Sequence, residues 1–415
     1  MADLSGIIDK KDEAAQYMVD EITYICKELP KRDPGSEGEK LCCEYMAKQL
    51  EKDCGCDKVG VESFDEHPYS FFGWVFFTIT LILAGIVTFF FVPVVAVVLI
   101  VLGLFFCFMQ TIFYKHFVDW AFPKKTGHNV YGTKKPTGEV KRRILFNGHP
   151  DAVWEMRFNN LFGGVFFEFH FGSSLAGALY YIALGIAYLI KHGAGAGVAS
   201  VQDPIVIAAL VGLVFVPFLI GLYFIADYKV IVDGANDNLS GCYIGIALLK
   251  YLQDNGIELE NTEIGVVNTG SEEAGIRGSE AFAKRHKEEY SDVPTVVYSF
   301  DTIHDPKYLM VNYRDLNGIL PMDKELADLF VNSAKELDIP CKKGWVPPFG
   351  GATDTVGFRR GGIRAAGITG LNHKLEDYYH TRRDSYDNMN LEGLANCFAI
   401  TAKVLERFDK GELDE

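Results

Sequence analysis

Histidine and acidic side chains occur together in five short segments of this sequence. The segments are FNGHPD with His149 and Asp151, GANDNLSG with Asp237, NTGSEEAG with Glu272 and Glu273, TVVYSFD with Asp301, and DYYHTRRDS with His380. Alone, each segment is a weak signal, because an aspartate in a glycine-rich turn is more often a helix cap. In several of them, however, the side chains directly follow a short apolar run, where a buried strand would end.

The combined set predicts a metal-dependent hydrolytic site. Two histidines and three carboxylates, one of which bridges, supply the nitrogen and oxygen ligands of two Zn²⁺ ions, and one further glutamate remains as a general base. Two such ions lower the pKa of a shared water toward about 7 and polarise the carbonyl that it attacks. The spacing of His149 and Asp151 would let the imidazole reach a metal while the carboxylate supports the ring.

Short apolar runs bounded by turn residues predict the strands that position these side chains. The runs are 58–64, 129–133, 143–147, 263–268 and 295–300. Helical patterns cover 11–29, 241–254, 279–287, 324–337 and 391–408, and Ser36 and Glu39 have the spacing of a capping box for one more helix. Strands that alternate with helices predict an α/β fold, with a mixed and mostly parallel sheet covered by helices on both faces.

Two long apolar stretches interrupt this pattern. Residues 68–114 carry no charged side chain, and they suffice for two membrane passes of about 20 residues each. Residues 171–190 and 204–226 form a second pair, separated by Lys191 and a glycine-rich linker. We expect two transmembrane hairpins, 68–114 and 171–226, inserted into one discontinuous domain that comprises residues 1–67, 115–170 and 227–415.

Basic residues near the ends of these stretches predict the orientation. Each hairpin returns the chain to the side that it left, so the whole soluble domain must lie on one face of the membrane. The domain side carries Lys115, Lys124, Lys125, Arg157 and Lys229, whereas the turns carry only Lys191. Because such an excess of Lys and Arg marks cytoplasmic loops, we expect a multi-pass membrane protein with its catalytic domain and both termini in the cytoplasm.

Composition narrows the class of partner. The chain of 415 residues has 40 Lys and Arg against 55 Asp and Glu, a formal net charge of −15, which argues against nucleic acid as a partner. The nine cysteines are odd in number and lack the spacing of a zinc-binding CxxC pair, so free reduced thiols are expected.

The order of the five segments resembles the two-zinc exopeptidases of metallopeptidase family 28, which include bacterial aminopeptidases and glutamate carboxypeptidase. The resemblance extends to RDPGSEGEK at a helix start, to GHNVYGTKK before the first histidine and to GGATDTVGF before the last ligand, and it covers nearly all the non-membrane sequence. It implies the zinc exopeptidase fold, two Zn²⁺ ions and a peptide substrate. The chain departs from the family between His149 and Asp237, where the second hairpin replaces a short loop.

Carried over residue by residue, the resemblance implies a metal-binding role for five side chains. His149 and Asp301 would hold one zinc ion. Glu273 and His380 would hold the other, and Asp237 would bridge the two.

The resemblance also implies three catalytic roles. Glu272 would act as general base and then as acid toward the leaving amine. Asp151 would orient His149, and Tyr379, which precedes His380, would donate a hydrogen bond to the oxyanion.

Other functions of the same fold remain open. Carboxypeptidase or dipeptidase action would use the same metals, with Arg277, Arg382 or Arg383 as candidates to bind a terminal carboxylate. A catalytically silent membrane scaffold is disfavoured by the complete ligand set, and a one-zinc glutaminyl-cyclase-like transferase by the presence of His149. A related two-zinc family with a lid domain is disfavoured because the interval from Asp301 to His380 has no room for the lid.

The position of the hairpins suggests what the substrate is. Both hairpins flank the strand that leads to His149, so the predicted site would lie close to the lipid bilayer. We therefore expect a peptide substrate, and hydrophobic or membrane-associated peptides are among the candidates. The alternative is that the loops merely tolerate the insertions and that the site points away from the bilayer. Side-chain preference, oligomeric state and whether the site faces the bilayer stay open.

Overall fold

An eight-stranded mixed sheet lies at the centre of this computed structural model, which describes residues 3–195, 197, 200–372 and 374–414. Numbered along the chain, its strands are β1 Lys58–Glu66, β2 Lys125–Lys134, β3 Arg142–Asn147, β4 Thr262–Thr269, β5 Thr295–Ile303, β6 Met310–Asn312, β7 Lys342–Gly344 and β8 Arg364–Gly370. They lie in the order β1-β2-β4-β3-β5-β8-β6-β7. The four central strands β4, β3, β5 and β8 are parallel, while β2 and β6 run antiparallel to their neighbours β4 and β8.

The central strands are continuous apolar runs because both of their faces are covered. Every residue of β3 and β4 is buried. Ile144 of β3 pairs with Ile264 on one side and with Val296 on the other. Ile144 packs into one hydrophobic cluster and its neighbour Leu145 into another, as the alternation of side chains along a strand requires. The α/β fold with a mixed, mostly parallel sheet is therefore confirmed.

Helices cover the two faces of the sheet. The longer ones of the soluble part are Lys11–Glu28, Glu37–Lys52, Ser240–Asp254, Arg277–Arg285, Lys324–Glu336 and Leu391–Asp409, and the shorter ones are Ser5–Ile8, Arg157–Phe162 and Thr355–Arg360. Ser36 caps the second long helix, as predicted, because its hydroxyl accepts a hydrogen bond from the Glu39 amide at 3.2 Å.

Four helices are long and apolar enough to cross a membrane: Ser70–Phe89, Pro93–Ile112, Gly164–His192 and Pro204–Phe224. We call them spans 1 to 4. Spans 1 and 2 approach closely where side chains are small: a Cβ atom on Gly85 would lie 2.4 Å from Ile100. Between spans 3 and 4, the Tyr181 hydroxyl donates to the Ala209 carbonyl at 2.6 Å. In the predicted turn between them, residues 196, 198 and 199 lie outside the described residues.

Span 3 begins at Gly164, before the start at residue 171 that hydropathy suggests. Glu168 and His170 lower the hydropathy of this first stretch without interrupting the helix. His170 stacks on Phe158 with 4.6 Å between ring centroids, so a polar side chain is accommodated where the span meets the catalytic domain.

The base of the four spans packs directly on the catalytic domain. Trp154 and Met156, in a short strand after β3, join the same buried cluster as Phe72 and Trp74 of span 1. This strand, Trp154–Met156, pairs with Ala226–Ile231, the strand that follows span 4. The segment that leads away from His149 is thereby tied to both hairpins.

Candidate metal centre

The carboxyl ends of the central parallel strands bring the predicted side chains to one edge of the sheet. His149 follows β3, Glu272 and Glu273 follow β4, and Asp301 lies near the end of β5. His380 lies in the loop after β8. Ligand sites of open α/β sheets occur at this edge because adjacent strand ends leave a crevice there.

Asp237 reaches the same edge from the turn ahead of helix Ser240–Asp254. The chain end of β3 lies unusually near this helix: a Cβ atom on Gly148 would stand 2.3 Å from the Cys242 nitrogen. Only glycine fits at that position, and it allows the adjacent His149 to approach Asp237.

Two groups of three side chains have the composition and spacing of metal sites. His149, Asp237 and Asp301 form one group, and Asp237, Glu273 and His380 form the other, each with its ligand atoms within 4.8 Å of one another. Asp237 belongs to both. Its Oδ1 atom lies 3.2 Å from His149 Nε2, and its Oδ2 atom lies 3.1 Å from His380 Nε2.

An unpaired polar atom in this cluster fits bound metal. The Oε1 atom of Glu273 is buried without a hydrogen-bond partner and lies 3.5 Å from His380 Nε2, which faces the cluster. Imidazole nitrogen and carboxylate oxygen are ligands that zinc takes in catalytic sites. The donor set therefore fits a cation in each group.

The electrostatics of the cluster point the same way. Burial and the neighbouring Asp237 raise the pKa of Asp301 to about 7, and burial raises the pKa values of Glu272 and Glu273 well above their usual range. Although burial acts against it, hydrogen bonds with His149 and His380 hold the pKa of Asp237 low. The buried carboxylates of the cluster outnumber its histidines, so bound cations are needed to balance their negative charge.

Asp151 holds together two of the loops that form the cluster. It is fully buried, and its Oδ1 atom lies 3.4 Å from His149 Nδ1. Its two carboxylate oxygens also accept the backbone amides of Glu272 at 3.1 Å and of Glu273 at 3.0 Å. One carboxylate thus positions the β3 loop and the β4 loop together.

Two further buried aspartates hold the site, and the sequence analysis assigned a role to neither. Asp384 accepts the amides of Asn236 at 2.7 Å and Asp237 at 3.1 Å, and burial raises its pKa to about 7. Asp354 accepts the Thr269 hydroxyl at 2.7 Å at the end of β4. For Asp384 the signal was its place four residues after His380. For Asp354 it was an aspartate three residues after the glycine pair of GGATDT.

A cavity opens over the cluster. Asp237, Glu272, Glu273, Asp301 and His380 line its floor, together with Tyr379. The Tyr379 ring stacks on His380 with 3.9 Å between centroids, so the structure does bring this side chain to the site. The opposite wall comes from the domain ends of the spans, with Phe71, Trp74, Ile112, Phe167 and Phe171 among its residues.

The three arginines considered for a substrate carboxylate are engaged elsewhere. Arg277 forms a two-pronged ion pair with Asp119 at 2.6 and 2.7 Å. Arg382 holds both oxygens of Glu155, and Arg383 donates to Asn160 at 2.8 Å. Among the described residues that line the cavity, none is Lys or Arg.

Comparison with known proteins agrees with this geometry. Residues 223–405 match the profile described as Peptidase family M28. A search of curated protein sequences found no match. Among solved structures, the aminopeptidase from Aneurinibacillus sp. strain AM-1 superposes with a TM-score of 0.56 at 14% identity, covering 96% of this chain and 95% of that one.

Two other solved structures have the same fold. The zinc aminopeptidase BSAP from Bacillus subtilis has a TM-score of 0.56 at 13% identity, covering 95% of each chain. A glutaminyl cyclase from Bacteroides thetaiotaomicron has a TM-score of 0.53 at 13% identity, covering 96% of each chain. Residues 223–405 therefore match peptidase family M28, and the chain as a whole has the fold of these aminopeptidases, as the sequence predicted.

Proposed function

We propose that the protein is a membrane-anchored zinc exopeptidase that removes N-terminal residues from peptides with the help of two zinc ions. The observation that carries the proposal is the position of Asp237, whose two oxygens face His149 and His380 in separate groups. A carboxylate shared in this way is what a two-metal site requires. His149 and Asp301 would hold one ion, and Glu273 and His380 the other.

The chain's own residues supply the remaining steps. Zinc held by these residues would lower the pKa of a water molecule toward about 7 and polarise the scissile carbonyl. Glu272 accepts the proton of the water and later gives it to the leaving amine. Asp151 keeps His149 and the Glu272 loop in register, and Tyr379 donates a hydrogen bond to the developing oxyanion.

The charge of the cavity supports aminopeptidase over carboxypeptidase action. A carboxypeptidase has to neutralise the terminal carboxylate of its substrate, which Arg does best through paired hydrogen bonds. Arg277, Arg382 and Arg383 are all committed to other partners. The described lining therefore offers no Lys or Arg side chain to a substrate carboxylate, which an aminopeptidase does not need to bind.

Two other functions of the fold receive less support. A catalytically silent scaffold has no need for the buried, unpaired Glu273 Oε1 atom. A one-zinc transferase would need only one metal group, whereas His149 belongs to an additional one.

A panel of short peptides tests the proposal. Zinc-loaded protein in detergent should release the first residue from peptides with a free amine, whether their carboxyl end is free or amidated, and it should leave the N-acetylated versions intact. Chelator should abolish the release, and added zinc should restore it. Cleavage of acetylated peptides from the carboxyl end would establish a carboxypeptidase, and a protein that binds no zinc above trace would establish the scaffold.

A further inference from the structure

The proposed catalytic cavity is bounded on one side by membrane-spanning helices. All four spans contribute residues at or next to their domain ends: Phe71 from span 1, Ile112 from span 2, Phe167 from span 3 and Ile225 just after span 4. Any amide bond placed at the metal-binding side chains therefore has its flanking groups against apolar helix ends. A soluble exopeptidase would not need membrane helices as the wall of its substrate site.

A second, narrower crevice lies between the spans, and Trp74 and Phe171 line both this crevice and the cavity. Its lining includes Ala178, Leu104 and Leu222, and none of its described lining residues carries a charge. An apolar group that enters between the spans beside Trp74 and Phe171 therefore meets only uncharged side chains.

Exposed aromatic side chains outside the spans surround this region. Trp120 is 74% exposed and lies 5.8 Å from the Phe77 ring of span 1. Phe162 is 60% exposed beside Phe166 of span 3, at 4.7 Å between ring centroids. Phe349, from the loop that lines the cavity, packs on Phe171. Aromatic side chains in this position occupy the membrane–water interface, so the mouth of the cavity lies at the level of the lipid headgroups.

We propose that the substrates are apolar peptides dissolved in the bilayer interface, which reach the metal-binding side chains from the membrane and place an apolar side chain in the crevice between the spans. This proposal rests on the exopeptidase function proposed above and adds the substrate class and its route. The occupant is a peptide and not a resident lipid because the crevice shares Trp74 and Phe171 with the cavity in which the scissile bond must lie.

Paired substrates test the route. Two four-residue amidated peptides share the first two residues, Leu-Ala, and continue either with Phe-Leu or with Ser-Gln. The zinc-loaded protein is compared in phosphatidylcholine vesicles and in detergent. Each buried methylene favours partition by about fourfold, so the apolar peptide should show a kcat/KM higher by at least about tenfold in vesicles.

Paired variants test the crevice. Ala178→Leu fills the crevice, whereas Ala176→Leu adds the same side chain to the exposed face of the same span. The Ala178→Leu change should lower the preference for the apolar peptide by about fourfold or more, and Ala176→Leu should leave it unchanged. Leu222→Ala, which enlarges the crevice, should shift the preference toward larger apolar side chains and serves if the first variant fails to fold.

The outcomes separate this inference from the function on which it rests. Equal rates for both peptides, in vesicles and in detergent alike, would overturn the membrane route while leaving an exopeptidase. A preference unaffected by either Ala178→Leu or Leu222→Ala would show a crevice that holds only lipid. Failure of zinc-loaded protein to cleave either peptide would instead overturn the proposed function.

Discussion

Glu272 lies with its Oε2 atom 3.9 Å from His149 Nε2, within the cavity and next to both metal-binding groups. Replacement by glutamine keeps the shape of the side chain but removes its ability to accept a proton. Glu272→Gln should therefore lower kcat by about 10²–10⁴-fold while the zinc content stays at the wild-type level. The exposed Glu288→Gln serves as the control and should change neither quantity. Activity within a few-fold of wild type would refute the role of Glu272 as base.

Replacement of Asp237 should give a different phenotype, because its carboxylate belongs to both candidate metal groups. Asp237→Asn replaces one of its two oxygens by an amide that cannot ligate a cation, so both zinc occupancy and rate should fall together. Metal analysis after dialysis, at a fixed free zinc concentration, measures the loss. Retention of two equivalents of zinc with full activity would contradict a bridging role.

Two buried carboxyls that lie close together outside the candidate metal groups predict that the stability of the protein depends on pH. The Ser271 hydroxyl lies 2.7 Å from Glu39 Oε2 and 2.8 Å from Glu66 Oε1. One hydroxyl has a single proton to donate, so one of the two carboxyls must carry a proton of its own. Burial and the charge of Asp151 raise the pKa of Glu39 to about 8, and burial and the charge of Glu39 raise the pKa of Glu66 to about 9.

The sign follows from the unfolded chain, in which both groups titrate near pH 4.5. Above that pH the unfolded state releases protons that the folded state retains, so the folded state loses stability as pH rises toward 9. Glu66→Gln should make the thermal midpoint in detergent fall less between pH 6 and pH 8.5 than in the wild type. The exposed Glu51→Gln is the matched control. An equal fall in all three proteins would exclude the carboxyl pair as its source.

At the scale of elements, one arginine joins the first hairpin to the loop that carries two site glutamates. Arg277 begins the helix after Glu272 and Glu273, and it holds Asp119, beyond span 2, and the Ser70 hydroxyl, at the start of span 1. His116 adds a contact at 3.0 Å to the Gly275 carbonyl in the same loop. The position of span 1 is thereby coupled to the position of the catalytic loop.

A double-mutant cycle measures this coupling. Arg277→Gln should destabilise the protein by about 2–3 kcal/mol, less than a fully buried pair costs, because Asp119 is partly exposed. Asp119→Asn in the same chain should add little further loss. Arg285→Gln, which breaks the more exposed pair with Glu62, should cost less than about 1 kcal/mol. Fully additive losses for Arg277 and Asp119 would show that the two do not act as a unit.

At the scale of the whole molecule, the basic residues near the ends of the spans bear on the orientation. The domain side carries Lys115, Lys124, Lys125, Arg157 and Lys229, whereas the turns carry only Lys191. Because an excess of Lys and Arg marks cytoplasmic loops, this distribution supports our proposal that the catalytic domain faces the cytoplasm.

Introduced thiols test this orientation. The nine native cysteines are all buried or partly buried, so exposed positions have to be used. In a variant with Gln202→Cys, at the turn, an impermeant thiol reagent should label intact cells. In a variant with Lys141→Cys, in the catalytic domain, labelling should require permeabilised cells. The reverse pattern would place the domain outside the cytoplasm.

Local patterns in the sequence determined the elements and the order of the site residues. Continuous apolar runs mark β3, β4 and β5 because these strands are buried on both faces, and the predicted side chains lie at their ends because parallel strands end at one edge. The spans can also be recognised in the sequence, because a bilayer requires uninterrupted apolar helices. The short strands β6 and β7, of three residues each, carried no pattern long enough to predict.

Only the tertiary structure decided how these parts meet. The hydrogen bonds of Asp384 with the Asp237 loop, the ion pair between Arg277 and Asp119, and the two-sided contact of Asp237 join residues far apart along the chain. Periodicity and motif spacing give information only about residues that lie close together in the sequence, so they cannot predict such contacts. The apolar wall that the spans place opposite the metal-binding side chains is of the same kind, because it exists only once the hairpins pack on the strand ends.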